Sequence, residues 1–442
     1  MQTHYAHLPK ILLPRTGIDL SKWAVVACDQ YTSQPDYWEE TDRLVGDAPS
    51  TLRLTLPEVY LEEDDCSERI DAIHQTMHQY LADGILTEQP TGAILLARDT
   101  GGPCPRCGLV LAFDLEAYDY TPGAASPIRP TEKTVVERIP PRLQVRQGAA
   151  IELPHIMLLI DDPDRTVIEP LYAQRVQFSK LYDVELMQRG GHLTGWFIPQ
   201  GAQTDALLAA LAHLADPAVF AAKYDLTQPL PVLPYAVGDG NHSMATAKAY
   251  WEEIKKDLTP AEQADHPARF VLAEVVNVHD ESLMVEAIHR VVFGVDTVDL
   301  LDGATAFFRA HGADATVLEA VPHELPHGAQ AFPFRAGDRT GCLLVKKSPW
   351  ALPVASLQAF LDDYLASHSQ ARIDYIHGLD VLEDLSRQPG NVGFALPDPA
   401  KEDLFRGVIL DGVLPRKTFS MGESREKRFY MEAKAIVPNA RA

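Results

Sequence analysis

The sequence predicts a mixed α/β fold, α/β or α+β in class, with multi-layer mixed sheets. Three observations support this. Short apolar runs bounded by turn residues, such as Gly92–Ala97, Leu109–Phe113 and Gly341–Lys346, have the length and composition of strands. Ile70, Ile73, Met77 and Leu81 recur near helical spacing within Asp64–Leu86. The run Val232–Val237 breaks at Gly238-Asp239-Gly240-Asn241 and gives way to the alanine-rich Met244–Lys255, a strand feeding a helix through a glycine turn. Strands and helices that alternate in this way stack as layers over a shared core.

Taken in order, residues 8–60 mix short apolar runs, Trp23–Ala27 among them, with turns, and the helix at Asp64–Leu86 follows. After the strands at 92–97 and 109–113 come a Pro- and Gly-rich loop at Pro122–Pro130 and a polar, basic stretch at Thr131–Arg142. Pro154–Ile160 is a continuous apolar strand, ended by Asp161-Asp162-Pro163. Gly190–Gly195 reads as a glycine loop, and Asp205–Ala215 and Ala218–Tyr224 as helices. Beyond the glycine turn, Arg269–Val278 is strand-like, Leu283–Val292 and Leu357–His368 read as helices, Asp374–Ser386 mixes turn and helix, and Asn391–Leu396 is a strand. A chain of 442 residues exceeds one ordinary core. The expected division is an N-terminal α/β region, 1–120, a central region with the glycine turn, 121–265, and a C-terminal α/β region, 266–442.

Charge narrows the partners. With 39 Lys and Arg against 62 Asp and Glu, the formal net charge is −23, which disfavours a nucleic acid or an anionic membrane as partner. No apolar run approaches the ~20 residues that span a bilayer, and the polar start MQTHYAHLPK has no apolar signal core. A cytoplasmic protein acting on a small molecule is the expectation, with the oligomeric state, a homo-oligomer included, left open. The cysteines at 28, 66, 104, 107 and 342 are odd in number and scattered, so reduced thiols are expected. Cys104 and Cys107 have half the spacing of a zinc knuckle, but no second pair follows, and no structural metal is assigned.

Polar groups concentrate in five places. At the glycine turn, Asp239, Gly240, Asn241 and His242 would surround the free N–H groups of a helix start, which favour phosphate or carboxylate. The same residues also suit an ordinary strand-to-helix turn with Asp239 or Asn241 capping. Asp29, after an apolar strand, offers a base or a metal ligand, or is a turn aspartate. Arg129, Lys133, Arg138 and Arg142 stand out in an acidic chain, where guanidinium forks suit bidentate anion recognition and where a solvated charged face is the alternative. His192, in the glycine loop, could approach a ligand or hold the turn. Arg416 and Lys417, beside Thr418 and Ser420, could clamp a second anion or form a basic surface strand. Phosphate-loop, H-E-x-x-H and G-x-S-x-G motifs are absent.

Asp239-Gly240-Asn241-His242-Ser243 resembles the D-G-H-H-R motif of a large family known only as domain of unknown function 1015. Other stretches match that family in order. Cys28–Gln34 is similar to its Tyr-Asp-Val segment, Pro49–Arg53 with Leu56-Pro57-Glu58 to its Pro-Ser and Pro-Glu stretch, and Ile128–Arg142 to its Ile-x-x-His-Glu-x-Thr region. Ile288-His289-Arg290 is similar to its Thr-His-Arg and Leu414–Thr418 to its Met-Pro-x-Lys-Ser. Asn241 and Ser243 replace the usual His and Arg, and Thr131 stands where His is common, which marks a divergent subfamily. The D-G-x-H element in turn resembles the nucleotide-phosphate loop of the ParB and sulfiredoxin superfamily, which includes free-serine kinases.

That resemblance implies a ParB/sulfiredoxin-like nucleotide-phosphate site in a phosphoryl-transfer enzyme, kinase or phosphatase. Its substrate would be a small hydroxy or phosphorylated metabolite such as serine or phosphoserine, with ATP or ADP and Mg²⁺ as cofactors. Asp29 and His242 would be catalytic. Asp239, Gly240, Asn241, His242, Arg138, Arg142, Arg416 and Lys417 would hold phosphate, and Glu132, Thr134, His192, His289 and Arg290 would meet the substrate. A nucleotide-binding regulator without turnover is the alternative.

Overall fold

The computed structural model describes residues 5–410, 412–415 and 417–438. It is a mixed α/β protein with several sheets, and it divides into two compact units, 1–283 with 422–442, and 284–421. The second unit is therefore an insertion in the sequence of the first. These units cut the chain elsewhere than the expected boundaries at 120/121 and 265/266. The physical reason is one sheet that takes strands from residue 6 to residue 277.

The strands of that sheet are β1 (Ala6–His7), β2 (Gly92–Asp99), β3 (Arg106–Asp114), β4 (Ile128–Pro130), β5 (Met157–Ile160), β6 (Ser179–Leu186), β7 (Gly191–Pro199), β8 (Tyr235–Asp239) and β9 (Phe270–Asn277). Their order is β4-β8-β5-β9-β3-β2-β7-β6, with β1 beside β3. The pairs β8/β4 and β9/β5 are parallel and the rest antiparallel. Central strands are apolar on both faces: Ile94, Leu95, Leu96, Leu109, Leu111, Leu158 and Val275 are all fully buried, as expected of strands covered from both sides.

Three helices matter to the site. The α1 helix (Cys66–Ala82) buries Ile70, Ile73, Met77 and Leu81, the stripe seen in the sequence. The α2 helix (Ile139–Arg146) starts with Pro140 and Pro141, whose missing N–H groups cost nothing in a first turn. It packs on α3 (Asn241–Ile254), which buries Met244, Ala245, Ala247, Tyr250 and Trp251. The C-terminal segment returns to the first unit as a strap: Phe429 N–H donates to Val25 O (3.1 Å), Ala27 N–H to Lys427 O (2.7 Å), and Lys434–Ala435 pairs with Ile151–Glu152.

The second unit holds a six-stranded antiparallel sheet of β10 (His289–Phe293), β11 (Asp314–Leu318), β12 (Gln330–Ala336), β13 (Arg339–Lys346), β14 (Arg372–Ile376) and β15 (Asn391–Phe394), in the order β11-β13-β12-β15-β10-β14. Two expectations are corrected. Leu283–Val292 is not helical: Val285–Ala287 and β10 are strands, because pairing with Phe419–Met421 and with β14 and β15 overrides a local pattern that fits either period. Gly190–Gly195 is not a loop beyond its first residue, since β7 starts at Gly191 and pairs along its length with β2 and β6.

Candidate functional site

The site forms where β8 stops. A register shift between Val237 and Asp239, a bulge in the pairing with β5, turns Asp239 at the strand end. Gly240 follows in the left-handed region (φ 76°, ψ 27°) as the N-cap of α3. A Cβ there would sit 2.9 Å from Ile156 Cα, so both the backbone conformation and the close approach to the neighbouring strand require glycine. Among the described residues no side chain caps α3: its N-cap is a glycine, and the preceding Asp239 Oδ1 accepts from Gly240 N–H (2.9 Å). The first-turn N–H groups of Asn241, His242 and Ser243 thus have no intrahelical partner. Asn241 Oδ1 is buried in the same turn and makes no hydrogen bond among the described residues.

Charged groups from four other segments surround this turn. From the strap, Lys427 Nζ lies 3.2 Å from Asp239 Oδ2. Burial would lower the Lys427 pKa, but Asp239 and Asp29, with Glu132 behind them, outweigh it and raise it. From α2, Arg142 pairs with Glu58, which follows the Leu56-Pro57 turn, and Arg142 Nη1 also donates to Arg138 O (2.8 Å). Burial lifts the Glu58 carboxyl above its ordinary range, with Arg142 pulling the other way and Asp29 adding to the rise. Asp29 receives a hydrogen bond from Gln30 Nε2 at 2.9 Å. Burial opposes its ionisation, yet His155, Gln30, Lys427 and Arg142 together hold it below the usual carboxylate range.

Two histidines complete the ring. Val135 N–H donates to His242 Nε2 (3.3 Å), which puts the ring proton on Nδ1. Burial, then the charges of Arg142 and Arg138, push His242 down to about 4, so it is neutral at pH 7. Ser243 Oγ and His155 Nε2 are 2.7 Å apart, and His155 Nδ1 is buried without a hydrogen-bond partner among the described residues. Burial lowers the His155 pKa against the opposing pull of Asp29 and Asp239. Beside this ring opens a cavity of about 150 Å³. Cys28, Glu58, Arg142, His155 and Ser243 lie on its polar side, and Leu54, Leu56, Met77, Val145, Ile151 and Phe429 form much of the rest.

The sequence-marked residues fall into three groups. Asp29, Arg138, Arg142, Asp239, Gly240, Asn241 and His242 stand together, with Glu132 within the field of Lys427. Thr134 is buried beside the Tyr118 hydroxyl. Others are engaged elsewhere. His192 is on the hairpin of β6 and β7, bonded to Glu185 (2.8 Å) and Asp183 (2.6 Å) on its exposed face. Five strand steps separate β7 from β8, roughly 24 Å at ~4.8 Å per step, so His192 is not part of this ring. In the second unit, His289 accepts from Leu396 N–H, and buried Arg290 donates to Gln358 Oε1 and Ile288 O and stacks over Tyr375, all packing roles. Lys417 is an exposed residue of the second unit with φ 59°. Arg416 lies outside the described residues. Sequence reasoning missed Glu58 as a site residue, His155 and Lys427. Of these, only Glu58 had a local signal, in Leu56-Pro57-Glu58.

The model of the family described as "Protein of unknown function (DUF1015)" matches residues 12–380, and the chain belongs to that family. No curated protein matches the sequence. Solved structures similar to it include a mutant free serine kinase in complex with AMP, 12% identical, covering 74% of this chain and 91% of that one at a TM-score of 0.38. A conserved hypothetical protein from Pyrococcus furiosus is 13% identical, covering 74% and 95%, at 0.36. SbnI with a C-terminal truncation, from Staphylococcus aureus, is 11% identical, covering 71% and 83%, at 0.34. Among the described residues, no single helix is long and apolar enough to cross a membrane.

Proposed function

We propose that this DUF1015 protein is a phosphoryl-transfer enzyme that holds a phosphate-bearing small molecule, a nucleotide or a phosphorylated metabolite, at the first turn of α3. One observation carries this reading. An uncapped helix N-terminus, reached through a turn that only glycine fits, is ringed by Arg138, Arg142 and Lys427 in a chain whose net charge is −23. Oriented N–H groups and fixed cations stabilise the charge that develops on a transferring phosphoryl group, and such a reaction asks for little else.

The remaining residues have roles that suit this chemistry. Asp29, ionised and set among cations, accepts the proton of a substrate hydroxyl or orients it. Neutral His242 presents its Nδ1–H as a donor, and Asn241 Oδ1 is an unengaged acceptor in the same turn. Gly240 lets the phosphate approach the backbone.

Magnesium would bring Lewis-acid charge neutralisation to the phosphate oxygens. The donor set fits such an ion only with help from the substrate. Asp239 has one oxygen on Lys427 and the other on Gly240 N–H, Asp29 has one oxygen on Gln30, and no group of three metal-ligating side chains stands ready among the described residues. One carboxylate plus phosphate oxygens is an ordinary magnesium site.

The test is turnover and binding with a panel of nucleotides, free and phosphorylated amino acids, and inorganic phosphate, with and without Mg²⁺. The expected result is phosphoryl transfer that Asp29→Asn abolishes and Arg142→Met weakens. Saturable nucleotide binding with no turnover across the panel would make the protein a regulator instead, and absence of both would refute the reading.

A further inference from the structure

Ser243 sits where three features meet: the first turn of α3, a histidine, and the mouth of the apolar cavity. With the His155 proton on Nδ1, Nε2 accepts the Ser243 hydroxyl at 2.7 Å, within the reach of a nucleophile and its base. Asp29 acts on the same imidazole and favours its protonated form. The cavity's other candidate nucleophiles are spent. Burial, reinforced by Asp29 and Glu58, keeps Cys28 a thiol, Thr246 Oγ1 donates to His242 O (2.8 Å), and Thr55 Oγ1 donates to Thr51 O (2.9 Å).

We propose that Ser243 is a covalent phosphoryl acceptor, with His155 as its general base, in a reaction on phosphomonoesters whose organic part is apolar. This rests on the phosphate site argued above and names its substrate class. Ser243 Oγ attacks phosphorus, forming the Oγ–P bond as the bond to the leaving oxygen breaks, and the electron pair stays with that oxygen. The Ser243 proton passes to His155 Nε2 and on to the leaving oxygen. Water then attacks the phosphoserine, gives its proton to His155, and releases inorganic phosphate as Ser243 regains its proton. The N–H groups of α3 and Arg142 hold the phosphoryl oxygens in both steps. The cavity of about 150 Å³ is lined mainly by Leu54, Leu56, Met77, Val145, Ile151 and Phe429, and its further charged groups, Arg146 and Glu152, are paired with each other, so it suits a group the size of a benzene ring better than a charged side chain.

The experiment uses p-nitrophenyl phosphate and the full chain. The expected result is a burst of nitrophenolate of up to one equivalent, one phosphate on the peptide containing Ser243 after acid quenching, and faster turnover than with phosphoserine. Ser243→Ala should lose burst and label while remaining folded and keeping its affinity for inorganic phosphate. His155→Gln should slow labelling by about 10²–10⁴-fold, the range general bases contribute. Turnover without label on Ser243, or label on another residue, overturns the covalent step and leaves the phosphate site standing. A wild-type protein that neither turns over nor binds phosphate overturns both.

Discussion

Replacing Gly240 by alanine probes the turn with one added carbon. At φ 76° an L-residue pays for the left-handed conformation, about 1–2 kcal/mol. The new Cβ would also stand 2.9 Å from Ile156 Cα and 3.2 Å from Ile156 Cγ1, so it meets a backbone atom of β5's approach rather than a side chain that can swing away. Overpacking of that kind costs roughly 1–3 kcal/mol. Together these predict a loss of about 2–5 kcal/mol in the denaturant unfolding free energy of the first unit. The movement that relieves the clash displaces Ile156 and with it His155, so phosphate affinity should fall by more than the folding loss alone explains. Urea unfolding and calorimetric titration with inorganic phosphate and ADP, both on full-length Gly240→Ala, measure the two effects. A variant within about 0.5 kcal/mol of wild type, the range of an ordinary surface change, with unaltered affinity would show that the turn has slack and that glycine is not required.

Three further outcomes follow from the same geometry. Arg142 and Glu58 are each little exposed, 14% and 13%, so Arg142→Met should strand a buried carboxylate and cost about 3–5 kcal/mol, whereas Glu58→Gln with Arg142→Met should recover much of that in a double-mutant cycle and still bind phosphate weakly. Because His242 is lowered from 6.5 to about 4, its neutral form stabilises the fold at and above pH 6.5; that stability should be lost as pH falls through the window down to about 4, and His242→Gln should flatten the slope in pH-dependent melts. His192→Ala, far along the sheet, should leave phosphate affinity within twofold, and a tenfold loss in titration would contradict its placement on the β6–β7 hairpin.

What was legible in the sequence follows from how local each signal is. The strand, glycine turn and helix at 232–255 announce themselves because apolar run, positive-φ residue and helix former are consecutive. Arg138 and Arg142 are visible because cations are scarce in this chain. His155 is hidden in a run that reads only as a strand, and Lys427 lies among Arg, Glu and Ser residues that read as solvated surface. Its value comes from the strap's path, which brings it to Asp239 from 188 positions away in sequence. His192, His289 and Arg290 were plausible by residue type, but each finds its partners within its own sheet or helix layer. Periodicity failed at Leu283–Val292 for a related reason: cross-strand partners far along the chain decide that segment.

The strap also sets an order of events during synthesis. The first unit's residues up to 283 leave the ribosome with the glycine turn, Asp29, Arg142 and His155 already made, but Lys427 and Phe429 come only after the whole inserted unit. At ~5–20 residues per second this leaves roughly seven to thirty seconds in which Asp239 lacks Lys427 and the cavity lacks its Phe429 wall. A nascent chain, or one cut short within the insertion, therefore carries the anion-binding turn without the lysine and the wall that complete it, so the site comes into being only after the inserted unit has been made.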